Sequence, residues 1–213
     1  MVSRSNLVRS IADRALAVFA LVGLAPVIAM SALAIWIEDG WPVLFRQRRV
    51  GRRGKPFELL KLRSMRRQNA GSRITASGDS RITGVGRILR KYKFDELPQL
   101  WNVIRGDMSL VGPRPEVPEF VEPHHPLWQT TLEVKPGITN LAALVYRNEE
   151  EILALRPDPE SYYRNELLPS KLKLDADYLR RSSWSTDLKL LFMTICYSAM
   201  PARLDPDDIR KRF

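Results

Sequence analysis

Apolar and polar positions change rhythm along this chain, and the changes mark its elements. Residues 15–37 (ALAVFALVGLAPVIAMSALAIWI) run for 23 positions without a charge, long enough to cross a bilayer core that needs about 20 helical residues. Pro26 stands mid-run, with Gly23 three residues earlier. Proline removes a backbone donor and clashes with the preceding turn, so a kink is predicted there. Further on, residues 56–65 (PFELLKLRSM) alternate apolar and polar side chains. That pattern predicts a strand, paired in a hairpin with Val43-Leu44-Phe45 through the turn RVGRRGKP. Residues 66–80 are polar with Gly and Ser, hence a loop. Gly84 and Gly86 interrupt regular structure, and a helix is expected from Ile88 to Tyr92.

Leu97, Leu100, Trp101 and Ile104 then repeat at helical spacing around Pro98, a residue favoured in a first helical turn. Residues 117–140 contain four prolines and read as an irregular wrap around a core, opening with a short helix at 117–121. An apolar run at 141–146 precedes a polar stretch that begins with Glu149, Glu150 and Glu151. Residues 162–179 read as a helix whose apolar side is Tyr163, Leu167, Leu168, Leu172, Leu174 and Leu179. Residues 187–200 form a second apolar helix, too short to span a bilayer; it belongs either in a core or at an interface. Cys196 within it is expected to pack. The mixed-charge tail, 201–213, is expected to fray.

Charge narrows the partners. Lys and Arg number 34 against 24 Asp and Glu, a net charge of +10 with pI ≈ 10.0. That excess calls for an anionic partner: nucleic acid, an anionic membrane surface or a phosphorylated substrate. A hydrophobic content of 45% over 213 residues is enough for a folded domain with a sizeable core. One cysteine forms no intramolecular disulfide, and Cys196 with His124 and His125 is too few for a Cys/His metal cluster. Basic residues flank the apolar run on both sides: Arg4, Arg9 and Arg14 before it; Arg46, Arg48, Arg49, Arg52, Arg53 and Lys55 after it. A spanning helix keeps its basic excess on one side. Two basic flanks suit a re-entrant hairpin, and a kinked span is the equal alternative, since such helices tolerate proline. Trp36 and Trp41 bracket the exit as interfacial aromatics do. A cleaved signal peptide does not fit, because the apolar run is too long and lacks a clear cleavage site.

Residues 91–116 (KYKFDELPQLWNVIRGDMSLVGPRPE) concentrate the chemistry. Asp95 and Glu96 follow Arg87, Arg90, Lys91 and Lys93 and precede the Pro98 helix. A helix start would hold both acids ionised, and the cations beside them would hold phosphate. Mg²⁺ bound through one or two carboxylates plus substrate phosphates would reconcile the like charges. The plain alternative is an N-cap acid and its neighbour. In Gly112-Pro113-Arg114-Pro115-Glu116 the prolines Pro113 and Pro115 either stiffen a turn or pre-set Arg114 for bidentate phosphate binding. No phosphate-binding glycine loop, dinucleotide fingerprint or zinc-protease motif is present.

The string from Asp79 to Glu116, with DELPQL, NVIRGDMSLVGPRPE and the upstream FELLKLRSM, closely resembles the bacterial sugar transferases known as monotopic phosphoglycosyl transferases. The resemblance runs on through VKPGITN and covers most of the chain. It looks like the small form of that family, without an added multi-span region. It implies a helix-dominated α+β fold. A re-entrant membrane helix broken at Pro26 (1–40) would lead into a compact cytosolic catalytic domain (41–200) with a small β-hairpin and interfacial amphipathic helices, and a tail (201–213). It implies transfer of a sugar 1-phosphate from a UDP-sugar to a polyprenol phosphate at the cytoplasmic face of the bacterial inner membrane, with release of UMP. Asp95 would be the nucleophile of a covalent phosphosugar intermediate, with Glu96 beside it and Mg²⁺ as cofactor. Arg90 and Arg114 would bind phosphate and nucleotide; Lys61, Arg63, Asp79 and Arg81 would support the site or serve as ordinary strand and loop charges. Nucleic acid is not an expected partner in this reading, inner-membrane lipid is, and a homodimer stays open. A membrane-tethered basic module for anionic lipid or nucleic acid is the competing function. Two departures from the family pattern stand out: Ala25 where a serine precedes the breaking proline, and Asn140 where relatives carry a further glycine.

Overall fold

The computed structural model describes residues 7–66 and 74–200, together with Ile209 and Phe213. Two helices open it, α1 (Leu7–Gly23) and α2 (Ala25–Asp39), bent by 59° at the break between them. Pro26 sits in the first turn of α2, where its missing N–H is no loss. No single described helix is long and apolar enough to cross a membrane, whereas the bent pair together has the length and composition.

The expected hairpin follows. Strands β1 (Leu44–Val50) and β2 (Pro56–Leu62) pair antiparallel in the register Phe45↔Lys61 and Arg49↔Phe57. Next, α3 (Gly84–Tyr92) starts four residues earlier than its apolar pattern indicates. Its glycines do not break it. Thr83 caps the helix by accepting from Gly86 N–H at 2.9 Å, and a Cβ on Gly86 would lie 2.0 Å from the Ser64 carbonyl oxygen, so the glycine is there for close packing.

Lys93, in the left-handed region at φ 60°, reverses the chain into a 3₁₀ turn, Phe94–Glu96, and then into α4 (Gln99–Arg105). Strand β3 (Ser109–Val111) comes next, and residues 117–140 are more regular than four prolines imply. A 3₁₀ turn (Pro118–Phe120), α5 (Pro126–Leu132) and strand β4 (Gly137–Thr139) lie within them, β4 pairing parallel with β3. The chain continues through α6 (Leu141–Val145), α7 (Glu149–Ala154), α8 (Pro159–Tyr162), a π-helical turn (Tyr163–Leu167), α9 (Leu168–Arg181) and α10 (Trp184–Ala199). Asn140 caps α6 through its side chain, accepting from Ala143 N–H, so the residue that departs from the family pattern has a local role. The tail expectation falls almost wholly outside the described residues; within it, Ile209 is fully buried against Tyr178 and Leu190.

The N-terminal helices pack on the rest of the chain. Ala17, Ala20, Leu21 and Leu24 join Leu100, Val103 and Met108 in one cluster, and Ile35 packs with Leu62 and Leu89. Both ends of the helix pair are also tied down by polar contacts. At the start, Arg9 pairs with Asp187 and Ser109 Oγ donates to Asp13. At the end, Glu38 accepts from Gly84 and Val85 N–H at 2.7 and 2.8 Å, and Arg63 Nη2 donates to the carbonyls of Asp39 and Gly40 at 2.7 and 2.8 Å. Arg9 is therefore committed within the protein and is not a freely displayed member of a basic flank. The opposite faces of these helices are apolar and exposed, with Phe19, Val22, Trp36 and Ile37 among them. Helix α10 carries a similar stripe, Trp184, Leu188, Phe192 and Ile195, while Leu190 and Met193 enter the core. It is a core helix and a surface helix at once. Cys196 is exposed, contrary to the packing expected of it.

Candidate active site

The positioning of Asp95 and Glu96 begins with α4. Asn102 is fully buried, and its side chain clamps the free edge of β2, accepting from Leu60 N–H at 3.1 Å and donating to the Glu58 carbonyl at 2.7 Å. That clamp sets the strand carrying Lys61 against the turn carrying the two acids. Lys61 Nζ then lies 3.0 Å from Glu96 Oε1, and Arg114 Nη2 reaches the same oxygen at 3.2 Å.

Arg114 is held from several sides. Gly112 and Gly137 let two backbones cross so closely that a Cβ on Gly137 would sit 2.1 Å from Gly112 N; Gly137 N–H donates to the Pro113 carbonyl at 2.9 Å. Arg49 Nη1 donates to the Pro115 carbonyl at 3.0 Å, and Tyr163, the first residue of the π turn, donates its hydroxyl to Glu116 at 2.7 Å. Asp175 of α9 accepts from Ala142 N–H at 3.2 Å and lies near the Arg114 backbone. Proline stiffness is thus one of several restraints on the turn.

The two adjacent acids differ electrostatically. Burial acts to raise Glu96, but Lys61, Arg114 and Lys93 outweigh it and hold this carboxyl well below the ordinary range. Burial raises Asp95, whose Oδ1 is enclosed without a hydrogen-bond partner among the described residues. Lys61, Lys93 and Arg90 pull against that rise without cancelling it. The expected helix start would favour the ionised form of both acids; burial works against it at Asp95, and at Glu96 Lys61 and Arg114 lead the pull toward it. The acids lie in a 3₁₀ turn ahead of α4, Pro98 occupies the N-cap, and no side chain caps that helix. The N-cap alternative for the acids falls on the same observation.

A cavity of about 950 Å³ opens over Asp95. Lys61, Arg90, Lys93 and Arg114 line it, as do Arg63 and Arg81. Several of these cations have acidic partners. Arg90 pairs with Glu150 and Lys171 with Glu149 at 2.7 Å. Arg81 forms a two-oxygen pair with Asp79, at 2.6 Å for the shorter contact, on the cavity wall. Arg63 is nearly fully buried, and its contacts are with the end of α2. Of the residues marked in the sequence, Asp95, Glu96, Lys61 and Arg114 are brought together; Arg90 faces the same space.

Glu149, Glu150, Lys171, Asp175, Tyr163 and Glu116 were not marked as site residues. Lys171 and Asp175 carried a readable signal: they sit four apart on the same side as Leu168, Leu172 and Leu179, where two charges interrupt an apolar stripe. His124 and His125 lie in a loop ahead of α5, where His125 accepts from Leu127 N–H at 3.3 Å.

Comparison with known proteins adds the family. The model of the bacterial sugar transferase family matches residues 4–200. The UDP-glucose:undecaprenyl-phosphate glucose-1-phosphate transferase of Caulobacter vibrioides is 40% identical over 176 residues, which are 80% of this chain and 62% of that protein. The protein of the same description from Escherichia coli is 34% identical over 90% of this chain and 40% of its own length. UDP-N-acetylgalactosamine-undecaprenyl-phosphate N-acetylgalactosaminephosphotransferase of Aeromonas hydrophila is 34% identical over 84% of this chain and 40% of its own length. The chain thus spans between 40% and 62% of the length of these three relatives.

Proposed function

The chain belongs to the bacterial sugar transferase family, and we propose that it moves a sugar 1-phosphate from a UDP-sugar to undecaprenyl phosphate or a similar polyprenol phosphate. The observation that carries this reading is the asymmetry of the dyad. Glu96 is fixed by Lys61 and Arg114, while the Oδ1 of Asp95 has no hydrogen-bond partner among the described residues in the same basic cavity. In this reading an oxygen of Asp95 attacks the sugar-bearing phosphorus. The bond from that phosphorus to UMP breaks, and UMP leaves with its electron pair. An acceptor phosphate oxygen then attacks the same phosphorus, the bond to Asp95 breaks, and the carboxylate is restored as polyprenyl-diphosphate sugar departs. A carboxylate made more basic by burial is the stronger nucleophile once ionised.

Mg²⁺ suits this corner, because a small divalent cation takes one or two carboxylates and completes its shell with phosphate oxygens and water. Asp95 Oδ1 and the neighbouring Glu96 would hold it. No group of three or more His, Cys, Asp or Glu among the described residues is arranged to bind a metal by itself. When bound, the ion would neutralise charge on the donor diphosphate.

Membrane attachment through a re-entrant helix pair belongs to the same reading, with the catalytic part on the cytoplasmic face. Its support is that both ends of the bent pair are tied to one body, through Asp13 and Ser109 at the start and Asp39 and Arg63 at the end. The test is a UMP-release screen over a panel of UDP-sugars with undecaprenyl phosphate and Mg²⁺. Release from at least one donor, stopped by EDTA, is the expected result. No release from any donor, together with salt-sensitive binding of bulk nucleic acid, would replace this reading with a basic binding module.

A further inference from the structure

The cavity is basic at its floor and apolar at one lip. That lip is Trp41, Pro42, Val43, Leu44 and Phe45, which line the same space as Asp95 and Arg114. Trp41 is 75% exposed, Leu44 38% and Phe45 45%. Exposed aromatic and aliphatic groups on the rim of a charged cavity are unfavourable in water unless something apolar covers them. Trp36 and Ile37, two to three residues before the end of α2, are exposed as well. Glu38, Asp39 and Gly40 separate these two residues from the lip along the chain.

Register gives this lip a direction. Phe45 lies opposite Lys61 in the hairpin, and opposed residues of an antiparallel pair project on the same face. Lys61 is the residue bonded to Glu96. On that face β1 runs from Phe45 through Gln47 to Arg49, while Leu44, Arg46 and Arg48 project on the other; Phe45 and Arg49 are about 13 Å apart at the usual strand rise. Arg49 is taken up by Gln47, Pro115 and Glu116, so the cation directly across from the apolar Phe45 is Lys61.

We propose that Trp41–Phe45 is the seat of the acceptor's isoprenoid chain. The units next to the phosphate lie over Phe45, and the chain leaves past Trp41 towards Trp36 and Ile37. The phosphate is delivered beside Lys61. This rests on the transfer reaction given above and assigns the acceptor side of its site. An aromatic belt that only anchors the protein is the rival account, and it makes a different prediction.

The experiment uses the full chain with Phe45→Ser, a substitution on an exposed strand position. The expected result is a rise of about tenfold in KM for undecaprenyl phosphate, with KM for the UDP-sugar unchanged. Binding to vesicles of anionic phospholipid stays unchanged, and a short prenyl phosphate shows a smaller difference between wild type and variant. An unchanged acceptor KM overturns the proposal. So does a loss that follows weakened vesicle binding or falls equally on the donor. If the wild type releases UMP from no UDP-sugar, the reaction itself fails, and the seat is judged by photo-crosslinking with a diazirine-bearing isoprenyl phosphate. Labelling within residues 41–45 then sustains the seat, and labelling elsewhere or none overturns it.

Discussion

The cavity wall and the outer helical face are opposites in composition. Inside, the chain buries Asp95, Glu96, Glu116, Lys171 and Asp175. Outside, α1, α2 and α10 expose Phe19, Trp36, Leu188 and Phe192. A protein surrounded only by water favours the reverse. The difference teaches that polarity alone does not decide what this chain buries, because ion pairs and hydrogen bonds admit acids and bases to the interior. Glu96, Glu116 and Lys171 are held by partners, Lys61 and Arg114 on Glu96, Arg49 and Tyr163 on Glu116, Glu149 on Lys171, whereas burial raises Asp95 and Asp175 toward their neutral forms. A buried charge without such a partner would be strongly destabilising. The outer apolar face has no comparable pairing, and in the membrane reading lipid covers it.

The strongest way to break the inner half of this contrast is Asp95→Asn. It removes the proposed nucleophile while nearly preserving shape, and transfer is expected to fall by about 10³-fold or more, with circular dichroism unchanged. Normal UMP release from the variant would remove Asp95 from the mechanism. In the wild type, the acid limb of turnover is expected above the usual aspartate range, since Asp95 must be ionised and burial raises it.

A smaller effect is expected from Asp175→Asn. Burial lifts Asp175 to about 7 from an ordinary 3.8. The folded chain therefore holds a proton that the unfolded chain has released across that window, so stability falls as pH rises from about 4 to 7. The wild-type Tm should drop by about 5 °C or more over this range through Asp175 alone. The Asn variant should show a flatter profile, and an equal slope in both proteins would show that Asp175 does not titrate there.

The outer face is tested by Phe192→Asp. Binding to anionic vesicles should weaken by about tenfold, while Tm changes little because the side chain is on the surface. Unchanged vesicle binding would take α10 out of the membrane-facing surface.

Local pattern carried a good part of the fold. The alternation in PFELLKLRSM predicted the β1–β2 hairpin, Pro26 marked the break between α1 and α2, apolar spacing found α9 and an apolar run found α10. Each signal depends only on neighbours within a few residues. The misses depended on distant ones. Gly86 reads as a breaker until Ser64 is brought against it. Four prolines read as an irregular wrap until β3 supplies a partner for β4. Glu150 reads as part of a polar stretch until α7 meets Arg90.

The sequence by itself determined the juxtaposition of Asp95 and Glu96, the basic approach to them, the stiff turn around Arg114, the broken apolar N-terminus and the family. These are matters of residue type and short spacing. Only the tertiary structure decided which acid is restrained and which is left unpartnered. Lys61 and Arg114 come from opposite sides of the dyad in sequence and meet on Glu96, while Asp95 Oδ1 is closed in without a partner among the described residues. Ionisation in a folded chain depends on burial and on charges brought close in space, and neither is present in residue order.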